Sequence, residues 1–266
     1  MYTFLFIFHD IMLSFNENLK KISLTEVLVV VIFSYMIVFS LRFFQIISLD
    51  YAVSNLIVLL FFVFKLKDFT SELKLDASNI FSAVSFWEIL VIVMLNIFFS
   101  YGMLYLSDYI VHSIPPESYL SFLIPAKSIG GGLAGVLSLL SVILISPPVE
   151  EMLFRGIFLN KMKMIVPVTF AVLISSLLFA SLHSFGGILS AFVFGICMAL
   201  LYLKTDNILV PILAHFINNL LSEAIYHLDY SNLLFTNGIV MTVMSGLAIV
   251  SFIVLFRFMK SNLKNI

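Results

Sequence analysis

Ionisable side chains are scarce in the long apolar stretches of this chain, and those that occur there call for a chemical explanation. They are Glu88, Glu150, Glu151, Arg155, His183, His215 and Glu223, with Asn219 as an uncharged companion. Such groups are costly inside a membrane, which makes each a functional candidate. Most fall into three clusters. In Pro147-Pro148-Val149-Glu150-Glu151-Met152-Leu153-Phe154-Arg155, Pro148 can open or kink a helix, and the adjacent carboxylates lie about 100° apart around it. Arg155 follows Glu151 by four residues, so the two share a face and can pair. Glu150 points elsewhere and is left to act as a base. In Phe179-Ala180-Ser181-Leu182-His183 a ring and an imidazole share a helical face. In Pro211-Ile212-Leu213-Ala214-His215-Phe216-Ile217-Asn218-Asn219 the same spacing joins His215 and Asn219. Each cluster alone has a plain structural reading: surface charges on a helix leaving the membrane, a histidine at a helix end, a hydrogen-bonded pair between helices. Together they supply a general base, a positioned water and oxyanion donors, the parts that amide hydrolysis within a membrane needs.

Helices must position these groups. Of 266 residues, 62% are hydrophobic and only 11% charged, with a mean hydropathy of +1.14. Soluble domains run at about half apolar and about a quarter charged, so lipid must solvate much of this surface. The single cysteine, Cys197, excludes an internal disulfide and a Cys-rich metal cage. No basic stripe points to nucleic acid. Residues 1–19 contain His9, Asp10 and Glu17, and their lysines follow the apolar stretch, unlike a cleavable signal peptide; 1–21 reads as an interfacial segment. Spans of about 20 apolar residues are expected near 25–44, 48–65, 86–107, 129–149, 166–183, 186–203, 207–227 and 236–257, with 65–80 and 108–128 as the two substantial loops. The fold class is therefore all-α, a polytopic transmembrane bundle. With the N-terminus inside, the inside segments hold Lys20 and Lys21; Lys65, Lys67 and Lys74; Lys161 and Lys163; Lys204; and Arg257, Lys260 and Lys264, against only Arg42 and Lys127 outside. This bias predicts eight spans with both termini cytoplasmic. The organisation is 1–128 with three motif-free spans, 129–227 with the motifs, and 228–266 with the last span and a basic tail.

The ordered motifs Glu150-Glu151-x-x-x-Arg155, Phe179-x-x-x-His183 and His215-x-x-x-Asn219 resemble those of the CPBP family of CAAX prenyl endopeptidases and bacterial bacteriocin-processing and self-immunity proteins. The resemblance covers roughly 130–225. It implies an integral protein of a bacterial cell membrane, with a cavity among the motif-bearing helices and a peptide or membrane-protein substrate. It implies that Glu150 and His183 activate water, that His215 and Asn219 stabilise the oxyanion, and that Glu151 with Arg155 gives structural support beside Phe179. Glu150, His183 and His215 could hold zinc by donor type, but the family is better described as glutamate-dependent without an obligatory metal, so no cofactor is expected. Other intramembrane protease signatures, His-Glu-x-x-His, Gly-x-Gly-Asp and Gly-x-Ser-x-Gly, are absent.

Two questions stay open at the level of sequence. Straight helices at the expected positions would place Glu150 and His183 at opposite sides of the membrane, about 25 Å apart. Either the fourth helix is long and tilted and continues through residue 160, or the fifth begins outside the bilayer, or one is re-entrant around a water-filled cavity. Beside the endopeptidase stand a non-catalytic scaffold or self-immunity protein that binds a membrane or envelope partner, and a small-solute transporter using Glu88 and Glu223. The lack of a clear inverted repeat lowers the transporter.

Overall fold

The computed structural model describes residues 14–43, 50–112 and 133–264. Among them every regular element is helical, giving an all-α polytopic bundle. Helices stand at all eight expected positions: α2 (Leu24–Phe43), α3 (Asp50–Leu66), α5 (Phe86–His112), α6 (Leu133–Met162), α7 (Val168–Ala180), α8 (Ile188–Thr205), α9 (Leu209–Leu228) and α10 (Gly238–Lys264). Six of them, α2, α5, α6, α8, α9 and α10, are long and apolar enough to cross a membrane. The 17-residue α3 is slightly shorter, and the 13-residue α7 reaches only about 20 Å against a hydrocarbon thickness of about 30 Å.

Shorter helices stand beside these, two of them α-helices in the N-terminal half. α1 (Phe15–Lys21) lies within the expected interfacial segment, of which 1–13 falls outside the described residues. Ser14 caps it, its hydroxyl accepting from the Glu17 N–H at 3.2 Å. The stretch 65–80, expected as a loop, is largely helical and carries α4 (Thr70–Ser78). In the other expected loop α5 continues to His112, and 113–128 lies outside the described residues.

α8 is the central helix: 72% of its apolar window is buried, against 17% for α2 and for α10. Its small residues explain this. A Cβ on Gly195 would stand 3.0 Å from the Ser176 Cβ, so only glycine lets α7 approach so closely. α2 and α3 pair on one flank, and α5 and α10 pair on the other, where a Cβ on Gly102 would come within 2.4 Å of Ala248.

α6 answers the depth question. It does not stop near 149 but runs on to Met162, placing Glu150 within its length. After a short turn α7 comes back. Glu150 lies about 18 Å before the end of α6 and His183 about 22 Å beyond the start of α7 at 1.5 Å per residue, so the two arms of the hairpin bring them to similar depth. α6 also widens into π turns at Ser141–Ile145 and Met152–Leu159, on either side of the two glutamates, a local form frequent at functional sites. The first has an identifiable cause. The Ser146 N–H bonds to the Ser141 carbonyl, five residues back. In that register the next carbonyl, Val142, would require an N–H from residue 147, which is proline and has none.

Candidate active site between α6, α7 and α9

Glu151 and Arg155 pair as their spacing predicts, Arg155 Nη1 donating to Glu151 Oε1 at 3.0 Å with both side chains fully buried. The guanidinium is held on two further sides. Nη2 donates to the Gly195 carbonyl at 3.1 Å, and the group lies 4.5 Å above the centre of the Phe179 ring. A buried charge is tolerable only when paired and hydrogen-bonded; these contacts pair the two charges, while Glu151 Oε2 and Arg155 Nε have no hydrogen-bond partner among the described residues.

His215 reaches the pair from α9. Its Nδ1 lies 2.8 Å from Glu151 Oε1. A carboxylate oxygen accepts, so Nδ1–H donates and Nε2 faces the other way, where it lies 4.0 Å from Glu150 Oε2. That separation suits one water in contact with both groups. Phe179 and Phe194 meet the His215 ring edge-on at 5.8 and 5.2 Å, fixing its plane. The Ser146 hydroxyl donates to Glu150 Oε1.

His183 follows α7 and packs against Phe179, with ring centroids 4.9 Å apart. Its Nδ1 is 3.1 Å from the Phe179 carbonyl. A carbonyl cannot donate, so Nδ1 carries the hydrogen and Nε2 is the basic nitrogen. The side chain is exposed and lines a cavity together with His215.

Asn219 lies one turn beyond His215 and lines the same cavity as His183 and His215. Its Nδ2 donates to the Val142 carbonyl at 2.9 Å, the acceptor that Pro147 leaves open. The structure thus gathers Glu150, Glu151, Arg155, Phe179, His183 and His215, with Asn219 at the edge of the group. Glu88 and Glu223 stand apart: Glu88 pairs with Lys204 at 2.6 Å, and Glu223 lies 3.7 Å from His227.

Two spaces flank the site. A groove of about 300 Å³ between α2, α3, α6 and the end of α7 is almost wholly apolar and reaches Glu150. A smaller cavity of about 110 Å³ between α5, α8 and α9 is lined by His183, His215, Asn219 and further amides and hydroxyls. Among the described residues no group of three or more His, Cys, Asp and Glu side chains is gathered as a metal ion would need.

Sequence reasoning did not single out Ser146, Gly195 or Phe194. Gly195 had a signal, a glycine in the middle of an apolar helix. The contacts of Ser146 and Phe194 depend on packing between helices and left none.

A chain whose described residues form only helices, six of them of membrane-spanning length and apolarity, around a buried carboxylate–guanidinium–imidazole cluster is a multi-pass integral membrane protein. Residues 132–221, roughly a third of the chain and including all three motifs, match the family model described as Rce1-like, type II CAAX prenyl endopeptidase. The matched segment is the one whose three motifs resemble the CPBP and CAAX-protease family. No curated protein and no solved structure matches the chain.

Proposed function

We propose that this chain is an intramembrane endopeptidase that hydrolyses a peptide bond with water activated by Glu150 and His183. The observation that carries the reading is the line Arg155–Glu151–His215, ending with His215 Nε2 at 4.0 Å from Glu150 Oε2. Arg155 and Glu151 hold the imidazole, and the imidazole faces the carboxylate that acts as base. Water gives a proton to Glu150 as its oxygen bonds to the scissile carbonyl carbon. The tetrahedral oxyanion is stabilised by His215, donating through Nε2 as an imidazolium beside Glu151, and by the second amide hydrogen of Asn219. The C–N bond breaks as the proton passes to the leaving amine, with His183 Nε2 as the relay. The products are an amine and a carboxylic acid, which gives up the remaining water hydrogen as it ionises. No step draws on a metal.

The topology that serves this chemistry is eight helices in the membrane with both termini cytoplasmic, in a bacterial cell membrane, acting on a leader, a peptide or a C-terminal segment. The test compares wild type with Glu150→Gln, purified in detergent, on a pooled peptide library. Cleavage by wild type and none by the variant supports the reading. Full activity of the Glu150 variant in cells would remove it and leave the scaffold or self-immunity reading ahead.

A further inference from the structure

Two side-chain amides outside the matched segment each have a polar atom with no hydrogen-bond partner: Asn55 Nδ2 on α3 and Asn96 Oδ1 on α5. Both residues are more than nine-tenths buried, with 7% and 4% of their surface exposed. A buried donor or acceptor without a partner is disfavoured and rare, most of all where no bulk water can reach it. The two flank the site on opposite sides. Asn55 lines the apolar groove together with Glu150, and Asn96 lines the polar cavity together with His183 and His215.

The direction of the Asn96 amide is fixed by a relay. The Val142 carbonyl can only accept, so Asn219 Nδ2 faces it at 2.9 Å. Asn219 Oδ1 therefore accepts from Asn218 Nδ2 at 3.3 Å, and Asn218 Oδ1 accepts from Asn96 Nδ2 at 3.2 Å. Flipping any one amide would set oxygen against oxygen or nitrogen against nitrogen. The relay thus ends on an acceptor, Asn96 Oδ1, while the opposite flank offers a donor, Asn55 Nδ2.

A polypeptide main chain brings the two missing partners, a carbonyl and an N–H. We propose that Asn55 and Asn96 hold the substrate main chain on the two sides of the scissile bond, Asn55 donating to a substrate carbonyl in the groove and Asn96 accepting a substrate N–H in the cavity. The inference rests on the hydrolase reading and adds a specificity to it. The groove side, walled by Leu28, Val31, Val58, Leu153 and Phe158, takes a bulky apolar side chain. The cavity side, with Ser100, Ser190 and Asn218, takes a small or polar one.

The test uses a peptide that wild type cleaves, taken from the pooled library. Asn55→Leu removes the N–H at nearly constant shape. It should lower kcat/KM about tenfold, mainly through KM, and leave the thermal midpoint unchanged or raised, because an unsatisfied polar group is lost. The peptide is then N-methylated one position at a time. At one position methylation should cost wild type about tenfold and cost Asn96→Ala nothing further. Wild-type kinetics in Asn55→Leu, or equal methylation losses in wild type and Asn96→Ala at every position, would overturn the proposal. If wild type cleaves no peptide, the hydrolase reading fails and this proposal with it. If wild type cleaves and Glu150→Gln does not, the outcome speaks to the two amides alone.

Discussion

A single carboxylate oxygen, Glu151 Oε1, accepts from both Arg155 Nη1 at 3.0 Å and His215 Nδ1 at 2.8 Å. It ties α6 to α9 where no solvent reaches, since the Glu151 and Arg155 side chains are both fully buried. Glu151 is therefore more than a counter-ion to its own helix, and it sets the plane in which His215 faces Glu150.

Replacing Glu151 by Gln leaves the Arg155 guanidinium buried without a counter-charge. Breaking one partner of such a pair costs about 3–5 kcal/mol, so Glu151→Gln should unfold well below wild type in detergent, followed by intrinsic fluorescence, and should lose cleavage. Arg155→Lys should not rescue the fold. An ammonium cannot reach both Glu151 and the Gly195 carbonyl while lying flat on Phe179.

Glu150→Gln should behave in the opposite way. It removes a charge from an apolar groove, so the unfolding midpoint should hold or rise while turnover falls at least about a hundredfold, the lower range for loss of a general base. A chelator such as EDTA should leave wild-type cleavage unchanged. A midpoint that collapses in Glu150→Gln would make the residue structural.

Glycine packing gives a third check. Gly195→Ala pushes a methyl against Ser176 and to 3.3 Å from Arg155 Nη2, and overpacking of this kind costs about 1–3 kcal/mol. Gly156→Ala instead meets the end of the Leu19 side chain on α1, at 2.3 Å. The double variant Gly156→Ala with Leu19→Ala should recover stability relative to Gly156→Ala alone, whereas Leu19→Ala should not help Gly195→Ala. Equal responses in the two backgrounds would show that α1 does not press on α6 at that point.

Outside the spanning helices, burial lifts the Asp76 carboxyl above its ordinary value of 3.8; Asp206 and Glu72 add to this, and the Asn16 N–H opposes it. The protonated form is thus favoured on folding. The stabilising contribution is complete below the unfolded value and is lost as pH rises through the folded one. Asp76→Asn should therefore exceed wild type in thermal midpoint at pH 7, and the gap should close as pH falls toward 4. A constant gap would mean that Asp76 does not titrate differently on folding.

Much of the architecture could be read from the sequence because it rests on periodic apolar composition. A helix stands at each of the eight expected positions, six of them long and apolar enough to cross a membrane, and the pairing of Glu151 with Arg155 follows from one turn of helix. The length of α6 could not be read. Pro147, Pro148 and three ionisable side chains look like the end of a span when seen along one helix. They are tolerated within it because their partners, Gly195, Phe179 and His215, come from other helices. The approach of Glu150 to His183 depends on that length. The relay through Asn218 to Asn96 spans 122 residues of sequence, a distance over which no local pattern extends.

Pro147 also changes how a helix breaker should be regarded. By withholding one hydrogen it leaves the Val142 carbonyl to be taken by a side chain of α9. A residue with an N–H at position 147 could give that carbonyl a partner inside its own helix, and α9 would lose one of its ties to α6. The defect is a socket, and a repair to the helix would be an injury to the protein.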